Sequence, residues 1–290
     1  VSDAALISLL MPTRGRPALA RRFLQSVLQT AACPSRIEVI IYADEDDTES
    51  HEISAAGLTT ELIIGPHQSM GNYNRLCLER AQGSIIVLVN DDVVMRSDGW
   101  DDSIRQLDAS VPDGIYLAYG NDGFKKQRLS TFPILSRRTC EVLQLPYHPA
   151  YQGAFIDYHL MDIFKRLQQA GHDRLMYLPD VMFEHLHYRT GKAAKDSTYS
   201  ARGRFDDDML FVGLARVRAA SLALLVDAIA GAPARPARLP SFQPVSKPPN
   251  FPHAICLFTK TFLLDSELPA GWRFFMWWWF SARYIASRVS

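Results

Sequence analysis

Cysteine is scarce in this chain of 290 residues, and an excess of charge of either sign is missing. The four cysteines (Cys33, Cys77, Cys140 and Cys256) share no paired spacing. That argues against a disulfide frame or a cysteine zinc site and leaves reduced, mostly buried thiols in a cytosolic protein. The 31 basic and 31 acidic side chains cancel, so no field of one sign draws the protein onto nucleic acid. No apolar run is long enough to span a bilayer. The apolar stretch from Ala4 to Met11 is too short for a signal sequence and has no basic lead-in. No internal repeat is present. What the chain does have, at 48% hydrophobic content, is material for one large core, or one core and a small appendage.

The most informative stretch runs from Ser84 to Asp92, where Ile85-Ile86-Val87-Leu88-Val89 stops on Asn90-Asp91-Asp92. A continuous β-branched run reads as a strand buried on both faces, as in a parallel sheet covered by helices. Buried carboxylates are costly, so Asp91 and Asp92 belong just past the carboxyl end of that strand, where open α/β sheets bind ligands. Two adjacent hard oxygen donors there suit Mg²⁺ or Mn²⁺ carrying a phosphate. An ordinary acidic turn is the plain alternative.

The first half alternates strand and helix signals. Strands are expected over Leu6 to Met11, Ile37 to Tyr42, Leu62 to Ile64 and Ile85 to Val89, with helices over Ala18 to Thr30 and Asn72 to Ala81. Such alternation implies a parallel sheet with right-handed crossovers, whose strands end at one edge in turns rich in Arg, Asp and Gly. Further on, Ile115 to Tyr119 and Arg128 to Leu135 read as strands. Phe155 to Ala170 reads as a helix stopped by Gly171, and Leu175 to Leu178 and Val181 to Phe183 read as two short strands around Pro179-Asp180. Asp206-Asp207-Asp208 reads as the cap of one helix from Met209 to Ala230. Ala232 to Pro252 holds seven prolines, an extended strap.

Taken in order, Pro12-Thr13-Arg14-Gly15-Arg16-Pro17, a second strand ending in acids, Gly71-Asn72-Tyr73-Asn74 opening a helix, and Asn90-Asp91-Asp92 form a pattern. It resembles the nucleotide-diphosphosugar transferases of the GT-A fold, particularly the inverting family 2 glycosyltransferases. The resemblance covers roughly Ala4 to Tyr199. It implies an α/β, Rossmann-like, mainly parallel sheet flanked by helices over residues 1–200, with a nucleotide-sugar-binding half (1–110) and an acceptor half (111–200). Residues 201–290 form a helical, Pro-rich C-terminal extension without a counterpart.

What the resemblance implies for single residues is specific. Asn90, Asp91 and Asp92 occupy the DXD element that holds a divalent metal (Mn²⁺ or Mg²⁺) against the donor diphosphate. Asp92 is the metal ligand, Asp91 turns to the donor, and Asn90 replaces the first acid. Tyr177-Leu178-Pro179-Asp180 followed by His185 matches the spacing of a further metal ligand. His185 and His187 would share one side of a strand. Pro12, Thr13, Arg14 and Arg16 in the first loop, Asp44 and Asp46 after the second strand, and Asn74 with Arg75 would bind the donor. Lys192, in a segment with Gly191 and Asp196, would contact phosphate. An inverting transfer needs a base for the acceptor hydroxyl. Gln152 to Asp162 is the matching segment, with Asp157 preferred over Asp162, although an Asp at that place is also a helix N-cap.

The expected donor is a nucleotide-diphosphate sugar, with UDP-sugar favoured, and the expected acceptor a glycan or lipid-linked glycan in bacterial surface polysaccharide synthesis. The aromatic segment 271–290 would pack on the core, meet another subunit, or touch a membrane surface from the cytoplasmic side. Two rival readings remain open at this point. A sugar-1-phosphate nucleotidyltransferase shares the sheet but has a Gly-rich first loop, and an inactive glycan-binding scaffold would fit the replacement by Asn90.

Overall fold

The computed structural model describes residues 4–186, 191, 203, 205–232 and 239–289. Strands β1 (Ile7–Thr13), β2 (Ile37–Asp44), β3 (Thr59–Gly65) and β4 (Ile85–Leu88) are followed by β5 (Val93–Met95), β6 (Leu117–Asn121), β7 (Pro133–Ser136) and β8 (Leu175–His185). Helices α1 (Pro17–Thr30), α2 (Met70–Arg80), α3 (Trp100–Ala109), α4 (Arg137–Leu143) and α5 (Ile156–Gln169) intervene. The C-terminal part adds α6 (Asp208–Gly213), α7 (Ala215–Ile229), α8 (Phe251–Phe258) and α9 (Ala270–Val289).

The sheet is mixed and eight-stranded, in the order β3-β2-β1-β4-β7-β6-β8-β5. β1, β2, β3 and β4 are parallel, as the strand–helix alternation requires, while β7 and β5 run against their neighbours. Strand side chains alternate between two cores. Ile7, Leu9, Met11, Ile85 and Val87 face one core with Phe23, Leu24 and Val27 of α1, which begins on Pro17. Leu10, Ile40, Ile86 and Leu88 face the other with Leu160, Ile163 and Phe164 of α5. A buried Leu or Ile of this kind contributes about 1.5–3 kcal/mol, so both faces of the short β4 must be covered.

Several expectations need correction. The strand placed from Arg128 begins only at Pro133, because Lys126–Arg128 is a single 3₁₀ turn. The two short strands around Pro179-Asp180 are one strand, β8, which changes register against β6 between Gly120 and Asn121. Pro179 falls at this irregularity, where a missing N–H is tolerated. The expected helix Met209 to Ala230 breaks at Leu214 into α6 and α7. Beside the break, Gly213 lies against the Gln243 backbone and the Phe242 ring with no room for a Cβ, so the Pro-rich strap crosses there. The Asp triplet does lead α6, with Asp207 at the N-cap position and Asp208 in the first turn, but without side-chain capping. Asp207 makes no capping bond, and Asp208 pairs with Arg283 of α9, Oδ1 to Nη2 at 2.6 Å.

The C-terminal helices join the core of α5. Phe211, Leu225, Phe258, Phe262, Met276 and Phe280 are buried in the same cluster as Leu160 and Phe164. Trp272, Trp277 and Trp279 pack against that cluster, while Phe274 and Trp278 face outward. No helix among the described residues is long and apolar enough to cross a membrane.

Candidate functional site

Asp91 and Asp92 form the turn between β4 and β5. Both carboxylates are buried, and Asn90 before them is partly exposed. Thr13, the last residue of β1, donates its hydroxyl to Asp91 Oδ2 at 2.9 Å. Arg16, in the turn ahead of α1, lies with Nη1 at 3.1 Å from Asp91 Oδ1 and 3.7 Å from Asp92 Oδ2. Burial pushes the Asp91 carboxyl up to about 6 against the pull of Arg16, and the neighbouring Asp92 adds to the rise.

The pairing of β5 with β8 completes this end of the site. Val93 stands opposite His185, and the Leu186 N–H donates to the Asp92 carbonyl at 2.9 Å. His185 Nε2 thereby comes within 3.4 Å of Asp92 Oδ1, and its ring packs edge-on against Phe132 at 5.2 Å. His187 and Lys192 lie outside the described residues.

Asp157 opens α5 after Phe155, which adopts a left-handed backbone at φ +69°. Burial raises the Asp157 carboxyl to about 6, offset in part by the backbone N–H of Tyr158 and by the charges of Lys125 and His185. A carboxylate near that value is suited to accept a proton around neutrality. The loop before it is pinned by Asp207, whose carboxylate accepts the N–H groups of Gln152, Gly153 and Ala154 at 2.8–3.0 Å.

Asp162 is not placed as a base. It is fully buried and accepts from Arg166 Nε at 3.1 Å, Arg218 Nε at 2.7 Å and Trp272 Nε1 at 2.9 Å. Burial alone would raise its pKa, but Arg218 and Arg166 outweigh that and hold it at about 2. With every partner a donor from α5, α7 or α9, it is an ion-pair hub that ties the start of the tail to the helix carrying Asp157.

A second polar group sits at the ends of β2 and β3. Asp44 is wholly buried and takes donors from Arg14, from His67 Nδ1 at 2.8 Å, and from the Tyr73 hydroxyl. Burial opposes its ionisation, yet the bonds from Tyr73, His67 and Arg14 hold its pKa below the usual value. Asp46 is exposed and pairs with Arg14 Nη2 at 2.9 Å. Pro12 pairs in register with Tyr42, whose ring packs on Tyr73 at 4.8 Å. Beside this group lies an opening of about 490 Å³ lined by His67, Gln68, Ser69, Asn72, Pro149 and Gln152. Asn74 is buried in α2, where its Nδ2 donates to the Met70 carbonyl, and Arg75 is engaged by Asn72 and Glu79.

The sequence reading passed over His67, Tyr73, Asp122 and Asp207. Asp207 belongs to the Asp triplet expected to cap a helix, and its carboxylate holds residues 152–154 instead. His67 and Tyr73 carry no spacing signal: His67 follows β3, which pairs with β2, and Tyr73 reaches Asp44 from α2. Asp122 accepts the N–H groups of Phe124, Lys125 and Lys126 and the Thr131 hydroxyl, which fixes the loop between β6 and β7.

No family model matches the chain, and no curated protein is similar to it in sequence. Among solved structures it is similar to S. aureus TarS 1-349 in complex with UDP-GlcNAc, with a TM-score of 0.51 and 14% identity over 78% of this chain and 71% of that one. A mannosyltransferase, PcManGT from Pyrobaculum calidifontis in complex with GDP-Man and Mn²⁺, aligns over 99% of this chain and 87% of that one at 14% identity, with a TM-score of 0.48. The first likeness establishes the fold, an α/β sheet of the GT-A type with helices on both faces.

Proposed function

We propose that the chain is a glycosyltransferase that moves a sugar from a nucleotide-diphosphate sugar to an acceptor hydroxyl with inversion, in the assembly of a bacterial surface polysaccharide. One observation carries the reading. The β5–β8 pairing sets His185 beside Asp92 at the tip of β4, within electrostatic reach of Asp157. An imidazole, a carboxylate pair and a carboxyl with a raised pKa thus meet at the ligand-binding edge of the sheet.

In this reading the nucleoside lies in the opening beside His67, whose ring is 3.2 Å from the Arg14 guanidinium that pairs with Asp46. The diphosphate approaches Thr13, Arg16 and the acid turn. As the acceptor oxygen bonds to the anomeric carbon, the bond from that carbon to the diphosphate oxygen breaks and the leaving group takes the electron pair. Asp157 receives the hydroxyl proton. Arg16, now against Asp91, would then have a phosphate to pair with.

A divalent ion, Mn²⁺ or Mg²⁺, fits the donor set of Asp92 and His185. Among the described residues no cluster of three His, Cys, Asp or Glu side chains forms a cage. Asp92 and His185 would hold such an ion, with the remaining positions left to water and substrate. When bound it supplies charge to the leaving diphosphate. His187 keeps its expected role beside His185, as a ligand of the metal or a contact of the phosphate, and Lys192 its expected role as a phosphate contact.

The test is thermal stabilisation by UDP-, GDP-, CDP- and dTDP-sugars, with and without Mn²⁺, for the wild type and Asp92→Ala. A ligand at a hundred times its Kd stabilises by about 2.7 kcal/mol, a shift of several degrees. One nucleotide class should raise the Tm only with metal, and Asp92→Ala should abolish the rise. The reading fails if no donor binds, or if Asp92→Ala binds as well as the wild type.

A further inference from the structure

Beyond β7, the paired strands β6 and β8 hold a separate groove of about 630 Å³, at the end of β8 away from His185. Its size is that of a ligand cleft. Tyr177 of β8 stands in register opposite Tyr119 of β6, with ring centroids 5.4 Å apart. Tyr119 is buried, and its hydroxyl donates to the Gln127 carbonyl at 2.9 Å, so it backs Tyr177 and holds that ring in place. Around the rings runs a polar rim. Lys165 Nζ donates to Gln168 Oε1 at 3.2 Å, and Gln168 Nε2 donates to Asp173 Oδ1 at 3.2 Å, with Gln127 and Arg128 on the other bank.

An aromatic face edged by amides and one carboxylate matches a particular chemistry. A pyranose ring offers an apolar C–H face and a rim of hydroxyls that both donate and accept. Amide side chains satisfy hydroxyls in either direction. A polyanion would call for more cations than Arg128 and Lys165, whose charges Asp173 partly cancels.

Helix α5 also runs from Asp157 to the groove. On α5, Asp157, Met161, Lys165 and Gln168 follow one another at four, four and three positions, which places them along one stripe. From Asp157 to Gln168 that stripe covers about 16 Å at 1.5 Å per residue. The loop pinned by Asp122 touches both places. The charge of Lys125 acts on Asp157, Ser130 Oγ donates to the Asp157 carbonyl at 3.4 Å, and Gln127 and Arg128 between them line the groove.

We propose that this groove binds the body of a carbohydrate chain, one sugar stacked on Tyr177 and its hydroxyls held by Gln127, Gln168 and Asp173, so that the chain end reaches Asp157. The acceptor is then an oligosaccharide rather than a single sugar. This assignment rests on the transferase reading for its consequence, but not for the binding itself.

The experiment is ¹⁹F NMR of the full chain labelled with 3-fluorotyrosine, with the Tyr177 resonance identified by its loss in Tyr177→Phe. Maltotetraose, cellotetraose and chitotetraose are titrated beside their monosaccharides. At least one tetrasaccharide should move the Tyr177 resonance at a Kd tenfold or more below that of its monosaccharide. Gln168→Ala and Lys165→Ala, both at partly exposed positions, should weaken that binding tenfold or more. The proposal is overturned if no tetrasaccharide moves the resonance, or if both variants bind undiminished. Titrating UDP- and GDP-sugars into the same sample separates the two claims. Donor binding without tetrasaccharide binding removes the groove assignment alone. Tetrasaccharide binding without any donor keeps the groove as a glycan site and removes the transferase reading.

Discussion

Two carboxylates of one helix, five positions apart, show how much a residue's surroundings decide. Asp157 is held neutral by burial up to about pH 6. Its folded pKa lies above the ordinary value, so its contribution to stability is complete in acid and is lost as pH rises through 6. Asp157→Asn should therefore stabilise the protein at pH 7.5 by about 1–3 kcal/mol, read by urea denaturation. The same change should lower transfer by about 10²–10⁴-fold with donor binding retained. In the wild type, kcat/KM should climb through about pH 6 and then level, because only the ionised carboxylate accepts the proton. Asp162 behaves in the opposite sense. Its pKa of about 2 lies below the ordinary value, so its stabilisation is present above pH 4 and is lost as pH falls through 2. Asp162→Asn leaves Arg218 and Arg166 buried beside a neutral partner and should cost about 3–5 kcal/mol at pH 7. Equilibrium unfolding of the two variants side by side checks the contrast. Sequence pattern offered both acids as bases, since spacing along a helix says nothing about what packs against each turn.

At the scale of elements, β8 matters most. It begins opposite Leu117, passes its bulge at Pro179, and ends with His185 against Asp92. The fit at the bulge depends on Gly120, where a Cβ would strike the Val181 carbonyl. Gly120→Ala should push β8 away, destabilise the protein by about 1–3 kcal/mol and weaken metal-dependent donor binding more than metal-independent binding. Calorimetric titration of donor with and without Mn²⁺ reads the difference. A β8 that tolerates the methyl, with donor affinity unchanged, would mean that the histidine is not needed there. The parallel strands β1, β2 and β4 and the helices α1 and α2 were legible because period-two and period-3.6 patterns are local. β5 was not legible: three residues carry too little pattern, and the strand exists only through its pairing with β8.

For the whole molecule, the question is whether residues 1–200 fold without the tail. Phe211, Phe258, Phe262 and Phe280 fill the same core as Leu160 and Phe164 of α5. Arg166 binds Asp265 and Glu267 at 2.6 and 2.9 Å, and Arg218 binds Asp162 at 2.7 Å. The helix bearing Asp157 is thus anchored on one side by the C-terminal helices. Thermal unfolding of the full chain should show one cooperative transition, with calorimetric and van't Hoff enthalpies equal. A chain ended at residue 204 should lack that transition and bind a hydrophobic dye, because it exposes the inner face of α5. Two separate transitions, or a truncated form with a sharp Tm, would show that the tail is an appendage.

The sequence by itself determined the parallel start of the sheet, the acid turn after its central strand and the first loop that faces it. Each of these is written in residues close together in the chain. His185 was expected beside Asp92 from the resemblance alone, and only the tertiary structure decided that Asp207 holds the loop ahead of Asp157 and that Asp162 is enclosed by arginines. It also decided that the aromatic tail packs into the core of α5 along one side and leaves Phe274 and Trp278 outside. Those outcomes join residues far apart in the chain. A charge or a ring acquires its role from the groups packed around it, and local periodicity carries no record of them.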